Sequence, residues 1–128
     1  MAMDVSEFEL LRDFRPSPFR LELYLTHRET IDRRDILAYR LSIDGQIVFE
    51  GQDFASSPVS AIDSDKTLGA LLTFLSLRPG DTDADYFRDY SQAQLEFVGA
   101  HGETLQLIAM ELNEGKRDAD DIENEFNA

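Results

Sequence analysis

Residues 36–49 read Ile36-Leu37-Ala38-Tyr39-Arg40-Leu41-Ser42-Ile43, then Asp44-Gly45, then Gln46-Ile47-Val48-Phe49. An Asp-Gly pair between two β-rich runs is the strongest short-range sign of a hairpin. A two-residue type I′ turn needs positive φ at both central residues, and these two residue types tolerate it. With that turn, Leu41 is expected opposite Val48, Ser42 opposite Ile47, and Arg40 opposite Phe49. Phe49 would then share a face with Ile47, leaving the hairpin apolar in parts of both sides.

Upstream, Phe19 to Thr26 reads FRLELYLT. Phe19, Leu21, Leu23 and Leu25 alternate with Arg20, Glu22, Tyr24 and Thr26, the period of a half-buried antiparallel strand. A one-residue slip would expose four large apolar groups, so the register is well specified. The connection from His27 to Arg34 is polar and holds the one basic cluster, Arg28, Arg33 and Arg34. Such a cluster is a solvated hairpin end or a grip for a phosphate or carboxylate. Before Phe19, Ser6 and Glu9 stand at capping-box spacing, and Phe8, Leu11 and Phe14 share a helical face. A short helix is expected there, stopped by Pro16 and Pro18.

Downstream, Gly51 is expected to end or bulge the third strand. Residues 52–64 read as a loop. Ser64 or Asp65 can cap a helix over Lys66–Leu77, which is apolar almost all round and therefore expected to be central. Its lean stripe is Gly69, Thr73 and Ser76, where another backbone can approach closely. A short helix is expected between Asp81 and Tyr90. Ser91, with Gln94 three residues on, opens the last main helix. Leu95, Val98, Gly102, Leu105, Ile108, Ala109 and Leu112 fall on one stripe of it. Gly99 and Gly102 weaken its middle, so a break near His101 is expected, and Gly115 ends it. Residues 116–128 have only Ile122 and Phe126 as anchors and read as a flexible acidic tail.

The expected fold is α+β: a three-stranded antiparallel meander (Phe19–Thr26, Asp35–Ile43, Gln46–Glu50) with two main helices, plus short ones, on one face. Residues 1–17 would be an arm and residues 18–115 one domain, the usual prior for a chain of 128 residues.

The chain has no cysteine, which excludes disulfides, thiolate metal sites and cysteine nucleophiles. The first 14 residues are charged, without the apolar core of a signal peptide. The longest apolar run, Leu68 to Leu77, is interrupted and about half the roughly 20 residues of a membrane span. A cytoplasmic protein is expected. The net charge is −14 and unevenly spread. Residues 1–80 hold 13 acids and 9 bases, residues 81–128 hold 13 acids and 3 bases. The second part repels nucleic acid and anionic membranes and attracts basic proteins.

No nucleophile elbow, Walker loop or dinucleotide motif is present in the sequence. Asp81, Asp83 and Asp85 match the first half of a calcium loop. The second half fails, with Tyr86 at the glycine position and Gln92 at the glutamate position. These carboxylates instead complement a helix N-terminus, so no metal or cofactor is expected. His27 and His101 are the only imidazoles and lack ligand spacing. Ser56, Ser57 and Ser60 are the serines of the 52–64 loop, and loop serines usually form turns. Tyr86, Phe87 and Tyr90 are aromatics set among acids, a composition enriched at protein interfaces. The expected contact residues are Asp81, Asp83, Asp85, Tyr86, Phe87 and Tyr90, with Arg33 and Arg34.

The sequence therefore reads as a non-catalytic acidic adaptor or inhibitor for a basic partner, with nucleic-acid mimicry as one form of that idea. Two alternatives stand beside it: an enzymatic or small-molecule site under the 52–64 loop, and a structural homodimer.

Overall fold

The computed structural model describes residues 8–26, 36–54, 64–76 and 91–128. Its class is α+β, with a four-stranded antiparallel sheet in the order β1-β2-β3-β4 and three helices. The strands are β1 (Phe8–Phe14), β2 (Phe19–Thr26), β3 (Ile36–Ile43) and β4 (Gln46–Phe54). The helices are α1 (Ser64–Leu75), α2 (Gln92–Glu114) and α3 (Ala119–Phe126). Two compact units result: Met1–Ser64 with Glu123–Ala128, and Asp65–Ile122.

The hairpin forms as its turn chemistry requires. Asp44 and Gly45 have φ of 50° and 81° and join β3 to β4. Ser42 pairs with Ile47 as expected, but Leu41 pairs with Phe49 and Arg40 with Glu50. The register shifts by one residue around Val48, a β-bulge that two versus one residues create. It corrects the expected side of Phe49, which joins Leu21 and Leu41 and is buried. The strand also runs past Gly51 to Phe54. Gly51 stays in the ladder because the Tyr39 ring lies over it; an added Cβ would sit 2.7 Å from the tyrosine oxygen.

The sheet has four strands rather than three, because residues 8–14 are β1 and not a helix. The same kind of irregularity explains the misreading. The β1–β2 register shifts between Leu10 and Arg12, so the apolar spacing of β1 departs from strict alternation and imitates helical spacing. Phe14, paired with Leu21, is buried. The Pro16–Phe19 turn then closes with the Phe19 amide donating to the Pro16 carbonyl at 2.8 Å. Leu21, Leu23 and Leu25 are buried together, as their alternation requires.

In the helical unit, α2 begins with the capping box expected at Ser91 and Gln94, and Gly115 closes it at φ 69°. It is continuous through His101, contrary to the expected break. Gly102 is where α1 and α2 meet: a Cβ there would lie 3.2 Å from the Ser76 carbonyl. A Cβ at Gly69 would fall on the Asn113 side chain and 3.3 Å from the Ala109 carbonyl. The two helices thus run antiparallel, with the lean stripe of α1 against Gly102, Ala109 and Asn113. Asn113 donates to the Thr73 hydroxyl at 3.3 Å, and Gln106 to the Ser76 carbonyl at 3.4 Å. Leu68, Leu72 and Leu75 are buried, whereas Phe74 is not, so α1 is not apolar-buried all round.

Residues 119–126, which read as acidic tail, are the helix α3. Asp118 caps it, accepting from the Asp121 amide at 2.8 Å, and Ala119 and Ile122 are buried. The Asp65 carboxylate accepts from the Ala119 amide at 3.3 Å. Farther along, Glu123 accepts from the Arg12 side chain and from the Arg15 amide at 3.2 Å. Asn127 donates to the Arg15 carbonyl at 2.8 Å and accepts from the Ser17 amide at 3.2 Å. One apolar residue per turn suffices when side chains at the end of the helix also satisfy the backbone of a strand turn.

Candidate interaction surface

The expected contact residues Asp81, Asp83, Asp85, Tyr86, Phe87, Tyr90, Arg33 and Arg34 lie outside the described residues, as do Arg28, His27 and residues 55–63 of the loop. Among the described residues, one charged grouping crosses the sheet and one mixed apolar and acidic grouping lies on α2.

The first crosses the sheet. Asp13, Glu22, Arg40 and Glu50 stand opposite one another on successive strands and so share one face. Asp13 beside Glu22 is a repulsive pair. Arg20 relieves it, donating to Asp13 at 2.9 and 3.1 Å and standing 3.8 Å from Glu22. Arg15 donates to Asp13 at 2.7 Å, and Arg40 lies 3.4 Å from Glu50. Burial pushes the Asp13 carboxyl up, but the Arg20 and Arg15 hydrogen bonds outweigh it and hold it below its usual range. Glu22 is only 6 % exposed and accepts from the Tyr24 hydroxyl. Every acid in this row has a cation or hydroxyl against it, which is the pattern of a satisfied structural network. Chemically it holds charges in place rather than presenting them.

That network has a measurable signature. Burial first, and then the hydrogen bond to Glu22, push the Tyr24 hydroxyl up to about 12. A group raised in the folded state stabilises fully below its unfolded value. Its contribution is then lost as pH rises from about 10 towards 12. An ultraviolet titration of phenolate should show one delayed step that Tyr24→Phe removes, with the variant less sensitive to alkali across that window.

The second grouping is on α2. Glu96, Gly99, Glu103, Leu107, Met110 and Glu114 recur at three- and four-residue steps and all are exposed. They form one stripe directly opposite the buried one of Val98, Leu105 and Leu112. Leu107 is 59 % and Met110 44 % exposed, in the middle of the acidic positions. Beside this stripe a cleft of about 470 Å³ opens between α1 and α2, lined by Thr73, Gln106, Met110, Asn113 and Glu114. Two exposed large apolar groups side by side, rimmed by charge, mark a contact surface more often than two scattered ones.

Residues 91–128 carry nine acids against Lys116 and Arg117. Both bases are engaged locally, Lys116 with Glu114 at 3.0 Å and Arg117 with Glu111 at 2.8 Å. The Lys116 pair is exposed and of the kind that contributes little, whereas the Arg117 pair is half-buried. His101 stacks at a tilt on Phe97, 5.3 Å between ring centres, which gives it a packing role. Among the described residues no three His, Asp or Glu side chains are grouped to hold a metal ion, and no helix is long and apolar enough to cross a membrane.

Leu107 and Met110 were visible in the sequence as large apolar residues off the buried stripe of α2. The signal was there, in the residues that the helical period leaves over. Comparison with protein-family models, with curated proteins and with solved structures finds no match.

Proposed function

We propose that the protein is a non-catalytic interaction module, an adaptor or inhibitor that binds a basic partner protein. The observation that carries this is the outward stripe of α2, where Leu107 and Met110 stand exposed between Glu103 and Glu114. The net charge of −14 adds a long-range attraction for cations. Neither feature serves the packing of α2, whose core side lies opposite.

The spacing favours a protein partner over mimicry of nucleic acid. At 1.5 Å per residue, Glu96, Glu103 and Glu114 are separated along the axis by about 10 and 16 Å. Successive phosphates of one strand are about 3.4 Å apart along a duplex axis. Apolar groups also interrupt the acidic row, which suits an interface with an apolar centre and a polar rim.

Affinity capture at low salt should recover a specific basic protein. The capture should fade near about 0.5 M salt, where charges are screened beyond a few ångströms. A Glu96→Lys/Glu103→Lys variant should keep its circular dichroism spectrum and lose the partner. Recovery of no specific protein, or of one indifferent to both salt and charge reversal, contradicts this function.

A further inference from the structure

We propose that the α1–α2 cleft is the seat for an apolar side chain of a cationic amphipathic helix, so that the basic partner named above is read through a helix face. This rests on the proposed function and adds the form of the ligand. Thr73 lines the cleft on the α1 side, between the close contacts at Gly69 and at Gly102. It is an open cleft of about 470 Å³, suited to one inserted side chain rather than to an enclosed ligand. Its wall is mixed: the Met110 thioether adapts to the shape of an inserted side chain, while the Gln106 and Asn113 amides, held on the Ser76 carbonyl and the Thr73 hydroxyl, give it a polar floor.

A helix docks in a groove through anchors at i, i+3 or i+4, and i+7. Met110 lines the cleft, and Leu107, about one turn away on α2 and 59 % exposed, stands outside it as a second apolar contact. Lysine or arginine on either side of such anchors would meet Glu103 at one end and Glu114 at the other. Charge decides between occupants. A second copy of this chain brings its own −14 and is repelled, and an anionic membrane surface is repelled likewise. A cationic helix is attracted, and the same helix supplies the apolar anchors.

The test uses the full chain, isotope-labelled, and two synthetic peptides of about 18 residues, a length that can hold a helix. One is an amphipathic lysine–leucine helix; the other keeps every lysine and has serine for leucine. At low salt the first should shift the amides of Thr73, Gln106, Leu107, Met110, Asn113 and Glu114 together. It should bind at least about tenfold more tightly than the second. Leu107→Ser and Met110→Ser should each weaken it severalfold, and Glu103→Gln should weaken both peptides.

Equal binding of the two peptides, with shifts scattered over the acidic surface, overturns the seated helix and leaves a partner held by charge alone. Binding of neither peptide overturns both. A dimer in light scattering that Met110→Ser abolishes assigns the cleft to a second copy and overturns the proposal.

Discussion

Leu23→Ala should remove about 2–5 kcal/mol of folding stability, the cost of a buried leucine truncated in a site that collapses incompletely. Leu23 is 0 % exposed and sits on β2, one of the two inner strands. Its cross-strand neighbours are Arg12 on β1 and Tyr39 on β3. Inner position matters because a side chain there has neighbours on both sides of its strand, so the lost contacts are not replaced by water. Domains are stable by only about 5–15 kcal/mol, so this one change should move a urea midpoint far towards zero. Leu10, exposed at the β1 edge, is the control. Leu10→Ala should cost no more than about 0.5 kcal/mol of stability and leave the midpoint almost unchanged. A small effect at Leu23 would mean that the leucine register of β2 is wrong.

Gly102→Leu should destabilise by about 1–3 kcal/mol through overpacking. Even a Cβ at this position would come 3.2 Å from the Ser76 carbonyl, and a backbone oxygen cannot rotate away. Three residues earlier the same residue type has the opposite meaning. Nothing lies within 4 Å of a Cβ at Gly99. Gly99→Ala should therefore stabilise by up to about 1 kcal/mol, the gain in helix propensity. Opposite signs in two thermal melts locate the helix crossing. Two stabilising glycine replacements would show that α1 does not pass over Gly102.

What could be read from the sequence was whatever a local period or a turn residue fixes. The Asp44-Gly45 turn, the Leu21–Leu23–Leu25 face, the Ser91–Gln94 box, the Gly115 stop and the lean stripe of α1 all have this character. Each depends on residues a few positions apart. The departures come from irregularities that a period cannot express. Shifts of register near Leu11 and Val48 put an extra residue into β1 and β4, so a strand looked helical and Phe49 was placed on the wrong face. Helix α3 was missed because its support is distant in sequence: Asp65, Arg12 and Arg15 bond to it, and Ser17 bonds to Asn127 just past its end. The break expected in α2 failed for a related reason, since the glycine that weakens a lone helix is here required by its neighbour.

The interaction surface was only half legible. Acidity and three aromatic residues set among acids pointed to residues 81–90, which lie outside the described residues. The α2 stripe draws on the same charge but adds apolar groups that the buried stripe leaves over. Leu105, Ile108 and Leu112 belong to the core, which leaves Leu107 and Met110 exposed on the other side of the helix.

All of this depends on α2 having two separate sides, one that builds the protein and one that does not. Urea denaturation of Leu105→Ala and Leu107→Ala, two residues apart on the same helix, measures that separation directly. Leu105 is 1 % exposed and should cost about 2–5 kcal/mol, while Leu107 should cost no more than about 0.5 kcal/mol. Equal losses at the two positions would contradict the account, because Leu107 would then belong to the core and not to a partner.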